Sequence, residues 1–129
     1  MNKMPIRNKI WYPDDDVIVF IHEKMIALYG GHKGFERGTK SIEMIIDNVM
    51  KQRTIYKKAS VLLKNLFNTR IFSDGNHRTA YEVTDLFLRM NGKKRVIDDK
   101  NKIQFMKKIR YYDIVDIERW LKYGKTKNS

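Results

Sequence analysis

The chain contains no cysteine, which excludes a disulfide framework, a thiolate metal site and a cysteine nucleophile. Proline is scarce, and nowhere do about 18 apolar residues run together, as a membrane-spanning helix would require. The segment from Met1 to Trp11 lacks the apolar stretch of about 7–15 residues that is typical of a secretory signal. These absences predict a cytoplasmic protein that does not enter a membrane.

Positive charge is what the sequence has in excess. Lysine and arginine number 27 against 15 aspartates and glutamates, which gives a formal net charge of +12. A field of this sign attracts nucleic acid, anionic membrane surfaces, nucleotide phosphates or an acidic protein partner, and the charge alone does not choose among them. A solvated, lysine-rich surface without any such partner explains the composition equally well.

Apolar residues recur with helical spacing along most of the chain. Pro13, followed by three aspartates, is typical of a helix start, and this first helix is expected to end at Tyr29, before Gly30 and Gly31. Apolar stripes predict further helices over about 41–53, 59–68 and 77–90, and two shorter ones around 103–109 and 114–121. Residues 30–38 are predicted to form a long loop, and residues 95–97 an extended link.

This pattern predicts an all-α protein: a compact single-domain bundle of about six helices. The length of 129 residues is sufficient for one hydrophobic core. We assign residues 13–124 to the domain, residues 1–12 to an N-terminal extension and residues 125–129 to a disordered tail.

Between the third and fourth predicted helices the chain reads RIFSDGNHRTA (residues 70–80). Gly75 lets the backbone approach a ligand closely, Asn76 can cap the next helix, and the free N–H groups of that helix start attract phosphate. Arg78 can donate two hydrogen bonds to phosphate oxygens, and Asp74 can hold a magnesium ion that bridges phosphates. The string therefore suggests a nucleotide phosphate site. Taken alone, it fits better a polar loop in which Asp74 and Asn76 only cap the helix and Arg78 pairs with an acid.

The same string resembles the signature of the Fic/Doc superfamily, His-x-Phe-x-Asp/Glu-Gly-Asn-Gly/Lys-Arg between two helices, and is most similar to the Doc (death on curing) branch. The likeness continues in ALYGG at residues 27–31, similar to the segment after the first Doc helix, and in LFLRMNG at residues 86–92, similar to the end of the central Doc helix. It covers residues 18–123. Tyr81 stands where the longer Fic motif has a second arginine, and this favours the Doc branch over the Fic proteins that transfer a nucleotidyl group.

The resemblance implies a Fic/Doc-like fold and the transfer of part of ATP or another NTP, with Mg²⁺, to a protein hydroxyl. Most Fic proteins transfer the nucleotidyl group, whereas Doc is a toxin that transfers the terminal phosphoryl group to a translation factor. By position, Asp74 would hold magnesium, Gly75 and Asn76 would line the anion hole, and Arg78 would grip the phosphates. The inhibitory string Ser/Thr-x-x-x-Glu-Gly/Asn of many Fic proteins is absent, so inhibition would come from a separate antitoxin.

Two positions depart from the family pattern. The catalytic histidine, which accepts the proton of the target hydroxyl, falls at Arg70, and an arginine keeps its proton to above about pH 12. His77 replaces a glycine or lysine, and it could bind phosphate as a cation, act as a displaced base or face solvent. His32 lies in the loop that corresponds to the flap that positions the target. His22, on the first helix, is expected to be a surface or core residue.

Arg70 has three explanations: a pseudoenzyme that binds nucleotide or a partner without turnover, a retooled site in which Arg70 stabilises phosphate charge, or an inactivating change selected because an active toxin kills its host. We expect a Doc-like toxin scaffold whose ordinary activity is lost or weakened. The first alternative is the pseudoenzyme. The second is a basic nucleic-acid-binding domain, for which the sequence has no helix-turn-helix or RNA-binding aromatic signature.

Overall fold

The computed structural model describes residues 9–94 and 99–125. Within these residues the chain forms six α-helices and one 3-10 turn, at Ile109–Tyr111. The α-helices are α1 Asp15–Tyr29, α2 Lys40–Met50, α3 Ile55–Asn68, α4 Asn76–Met90, α5 Asp99–Lys108 and α6 Ile114–Tyr123. The all-α class and the helix number predicted from the periodicity are confirmed. The predicted link at 95–97 and residues 126–129 of the predicted tail lie outside the described residues.

Short polar side chains mark the starts of three helices. The carboxylate of Asp14 accepts a hydrogen bond from the Val17 N–H at the start of α1, and the hydroxyl of Thr54 accepts one at the start of α3. Asp113 and Asp116 form a reciprocal capping box on α6. Each cap provides an acceptor for an N–H group that has no partner within the helix.

Three helix ends differ from the predicted ones by three or four residues: α5 begins at Asp99 rather than near residue 103, and the other two are the start of α3 and the end of α2. α3 begins at Ile55, four residues before the apolar stripe, because Thr54 caps it there. α2 ends at Met50 rather than near residue 53. The buried amino group of Lys58 donates a hydrogen bond to the Met50 carbonyl at 3.1 Å, which places a positive charge at the negative end of the α2 dipole.

The core is organised around α3 and α4, which pack against each other. α3 also packs against α2 and α6, and α4 packs against α1. Trp11 and Tyr12, in the predicted N-terminal extension, pack against this core, and the side-chain amide of Asn91 forms hydrogen bonds with both the N–H and the carbonyl of Trp11. No helix in the described ranges has the length and apolar character to cross a bilayer. The largest fully buried side chains include Ile18, Ile42, Leu62, Leu63, Phe72, Phe87, Ile109, Ile117 and Leu121.

Candidate functional site

The loop between α3 and α4 is folded back on itself by the first residue of α4. The side-chain oxygen of Asn76 accepts a hydrogen bond from the Phe72 N–H at 3.1 Å, and its amide nitrogen donates one to the Phe72 carbonyl at 2.7 Å. Both residues are buried. The prediction that Asn76 caps α4 is therefore wrong: Gly75 is the N-cap, the Asn76 side chain is occupied by the loop, and only its backbone N–H remains for a ligand.

Gly75 joins this loop to α4 in the left-handed region, with φ at +77°. The first hydrogen bond of the helix runs from the Thr79 N–H to the Gly75 carbonyl at 3.0 Å. The N–H groups of the three residues between them, 76–78, therefore have no acceptor within the helix. Such a helix start carries a partial positive charge and can bind an anion.

The segment between α1 and α2 lies against the loop. Phe35 and Phe72 form an isolated antiparallel bridge, and the Ser73 N–H donates a hydrogen bond to the Gly34 carbonyl at 2.9 Å. The backbone N–H of His32 donates one to a carboxylate oxygen of Asp74 at 2.8 Å. The structure thus places His32 beside Asp74, in contact through its backbone.

Arg70 is directed towards this segment. Its Nε donates hydrogen bonds to both carboxylate oxygens of Glu36, at 3.1 and 3.2 Å, and a terminal nitrogen lies 3.4 Å from the Ser73 carbonyl. Both side chains of the ion pair are partly exposed. Glu36, which the sequence analysis did not single out, is therefore the partner of the most unusual residue of the loop.

A cavity of about 660 Å³ lies beside the α4 start and is lined by residues of α1, α3, α4, α5 and the 3-10 turn. Four cationic side chains line it, of which Arg78 is in α4 and the others come from the region of α5. Aromatic and aliphatic side chains complete the wall, with Glu82 as the acid. This size and mixed lining are suited to a small anionic ligand with a planar part. The lining residues are Met25, Tyr29, Phe67, His77, Arg78, Tyr81, Glu82, Lys102, Ile103, Met106, Lys107 and Arg110.

Two aromatic contacts orient the α4 side chains at this cavity. The His77 ring stacks on Phe67, with centroids 4.0 Å apart and planes 13° from parallel. The guanidinium carbon of Arg78 lies 4.2 Å from the centroid of the Tyr29 ring, a cation–π contact. Partial burial, followed by the positive charges of Arg110 and Arg70, lowers the pKa of His77 from its usual 6.5. His77 is therefore mainly neutral at pH 7 and can accept a proton there.

The predicted site residues thus fall into two groups. Arg70 and Asp74 belong to the loop and contact the segment after α1, which contains His32, and none of these three residues lines the cavity. His77 and Arg78, in the first turn of α4, line the cavity. Gly75 and Asn76 connect the two groups along the backbone.

Sequence reasoning undervalued His22, which is 1% exposed. Its Nε2 lies 2.7 Å from the Asp74 carbonyl oxygen, and its ring stacks on Phe72 with centroids 3.6 Å apart and planes 5° from parallel. A signal for its burial was present, because His22 occupies the i+4 position of a stripe that begins at Ile18 and continues through Ile21, Met25 and Ile26.

A metal ion at this site would depend on the ligand for most of its coordination. Within residues 9–94 and 99–125, no group of three or more histidines, aspartates and glutamates is arranged to hold a metal. One carboxylate oxygen of Asp74 accepts the His32 N–H, and the side chain is exposed. A single exposed carboxylate fits Mg²⁺, which commonly takes one or two carboxylates together with phosphate oxygens and water.

Comparison of the chain with known protein families and with curated proteins finds no match. The resemblance to Doc therefore stays a prediction from the motif residues. What the site can do follows from its own side chains: hold an anion at the α4 start, and accommodate a further part of the ligand in the cavity.

Proposed function

We propose that this chain is a Doc-like protein that binds ATP or another NTP, with Mg²⁺, at the start of α4. Its reaction is the transfer of the terminal phosphoryl group to a protein hydroxyl, with transfer of the nucleotidyl group as the alternative, and Arg70 impairs that transfer. The observation that supports this best is the position of the left-handed Gly75 and the free N–H groups of α4 beside a cavity lined by cationic side chains.

The phosphate groups would lie at the α4 start. Backbone N–H groups there and the guanidinium of Arg78 supply donors to phosphate oxygens, and stacking on Tyr29 holds that guanidinium in place. Asp74 would hold a magnesium ion, which neutralises phosphate charge when bound. The cavity volume of about 660 Å³ falls within the range of about 300–1,000 Å³ found for small-molecule sites, so the nucleoside can lie there.

Arg70 cannot supply the general base that the family reaction needs. Its guanidinium is protonated at neutral pH and forms an ion pair with Glu36, and neither residue lines the cavity. Loss of a general base typically lowers the rate by about 10²–10⁴-fold. The pair with Glu36 favours loss of ordinary activity over a retooled site in which Arg70 binds phosphate.

The partners follow from the same proposal. The acceptor would be a protein hydroxyl, for which a translation factor, the substrate of Doc, is the candidate, and inhibition would come from a separate antitoxin. A chain with a net charge of +12 attracts an acidic segment, which suits an antitoxin that folds on binding. Recovery of no small protein encoded beside this gene in a pull-down would argue against an antitoxin.

A second candidate is a pseudoenzyme that binds nucleotide or a protein partner without turnover. The pairing of Arg70 with Glu36 favours it, since the arginine contributes to the structure of the loop and has no route to proton transfer. Both candidates predict nucleotide binding and differ in turnover. Isothermal titration with Mg·ATP, beside a phosphorylation assay on a cell extract, separates them.

The decisive experiment restores the histidine. Arg70→His is compared with the unaltered chain and with Arg53→His, an exposed arginine in the turn between α2 and α3. We expect Arg70→His alone to arrest growth on induction and to transfer label from γ-labelled ATP to a protein. Transfer from α-labelled ATP instead would assign nucleotidyl transfer. An unaltered chain that does not bind Mg·ATP, together with a folded Arg70→His variant that transfers neither label, would refute the proposal.

A further inference from the structure

Among the described residues of α1, His22 alone has a buried polar side chain, and this side chain contacts the loop. Its Nε2 lies 2.7 Å from the carbonyl oxygen of Asp74. A carbonyl oxygen can only accept a hydrogen bond, so Nε2 carries the hydrogen and donates it. Stacking on Phe72, at 3.6 Å between centroids, fixes the plane of the imidazole in which that N–H points.

This hydrogen bond also determines where the next N–H group points. The peptide bond between Asp74 and Gly75 is trans, since no cis peptide occurs in the described chain. In a trans peptide the carbonyl and the N–H of the same unit point in opposite directions. Because the Asp74 carbonyl faces His22 and α1, the Gly75 N–H faces away from them, and no acceptor for it occurs among the described residues.

We propose that His22 is a positioning residue, which orients the Asp74–Gly75 peptide so that the Gly75 N–H donates a hydrogen bond to a phosphate oxygen of the ligand. His22 itself is buried beneath the loop and acts only through this peptide. The identity of the ligand rests on the proposed function, whereas the orientation of the peptide rests on the contacts of His22 alone.

The surroundings leave little freedom for another arrangement. A Cβ added to Gly75 would lie 3.1 Å from the Ile26 side chain and 3.5–3.6 Å from the His22 ring. A side chain at this position would therefore crowd Ile26 and touch the His22 ring, both on α1. Without the hydrogen bond, the Asp74–Gly75 peptide has no partner on this side and can rotate, since glycine tolerates many backbone conformations.

Two substitutions separate the hydrogen bond from the stacking. His22→Phe keeps a flat ring against Phe72 and removes the donor, whereas His22→Gln keeps an N–H donor near the position of Nε2 and removes the ring. Three measurements are made on the full chain: thermal unfolding by circular dichroism, titration with Mg·ATP, and NMR resonances of the Asp74 carbonyl carbon and the Gly75 amide. The unaltered chain gives the reference for each.

We expect His22→Phe to stay folded and to bind Mg·ATP about five- to tenfold more weakly, as the loss of one oriented hydrogen bond implies. The Asp74 and Gly75 resonances should move in the same variant, and His22→Gln should restore part of both effects, which a purely structural role would not do. Affinity and resonances that stay unchanged in folded His22→Phe would overturn the proposal.

The experiment also distinguishes this proposal from the proposed function. If the unaltered chain does not bind Mg·ATP, the proposed function fails, and the resonances alone then decide whether His22 orients the peptide. If His22→Phe unfolds, the same comparison is made between His22→Leu, which also lacks the donor, and the unaltered chain. A folded His22→Leu with shifted resonances and weakened binding supports the positioning role, and one with neither change in a chain that binds Mg·ATP contradicts it.

Discussion

Replacing Asn76 by alanine tests whether the loop is held by the side chain that opens α4. The substitution removes two hydrogen bonds, at 3.1 and 2.7 Å, and leaves the buried N–H and carbonyl of Phe72 without these partners. A buried polar group without a partner costs about 1–3 kcal/mol. Allowing for relaxation of the loop, we expect the free energy of unfolding to fall by about 2–4 kcal/mol.

Unfolding in urea is monitored by circular dichroism at several protein concentrations. For a chain of this length the expected loss corresponds to a melting temperature lower by roughly 8–16 °C. Asn48→Ala, at an exposed position within α2, is the matched control and should change stability by less than about 0.5 kcal/mol. A loss below about 1 kcal/mol for Asn76→Ala would refute the reasoning, because the buried Phe72 backbone would then have been satisfied in another way.

Three further predictions concern the same region and its support. Arg110→Gln should raise the pKa of His77, measured by NMR titration, because it removes a positive charge. Since that pKa is lowered in the folded chain, protonation of His77 should favour unfolding as the pH falls below about 6.5. His77→Gln should therefore weaken the dependence of stability on pH in this range. Gly75→Ala should lower the free energy of unfolding, measured in urea, by about 1–2 kcal/mol more than Gly92→Ala does. Both glycines have positive φ, but of the two only Gly75 has side chains within 4 Å of an added Cβ. Lys58→Met should lower stability by about 1–3 kcal/mol in the same assay, through lost hydrogen bonds to the end of α2; no change would contradict this.

Local sequence signals predicted the helices well where a cap or a glycine stood beside an apolar stripe. Both ends of α1 agree with the predicted limits to within a residue or two, because Asp14 caps one end and Gly30 ends the other. The start of α3 was wrong by four residues, since its first turn has no clear apolar stripe and depends on the Thr54 cap. The end of α2 was also misplaced; it lies where the amino group of Lys58, from the next helix, donates a hydrogen bond to the Met50 carbonyl.

In the candidate site, too, the arrangement of neighbouring residues could be predicted from the sequence, and contacts between residues distant in the chain could not. Residues 70–78 lie together because they are contiguous, so the motif could be recognised from the string itself. The contacts of Arg70 with Glu36 and of His22 with Asp74 span 34 and 52 residues, and nothing in the local pattern pairs them. The lysines of α5 and Arg110 of the 3-10 turn line the cavity only because the fold brings these elements near α4, where Lys102 forms an ion pair with Glu82.

The all-α class, the helix number and the glycine-containing loop before α4 could be read from the sequence, because helical periodicity, caps and backbone freedom are properties of neighbouring residues. The fold was needed to show which side chains face the loop, that Arg70 pairs with Glu36 and does not line the cavity, and that His22 contacts the Asp74 peptide. These are matters of packing between helices distant in the chain, where burial and hydrogen bonding across the core select one arrangement.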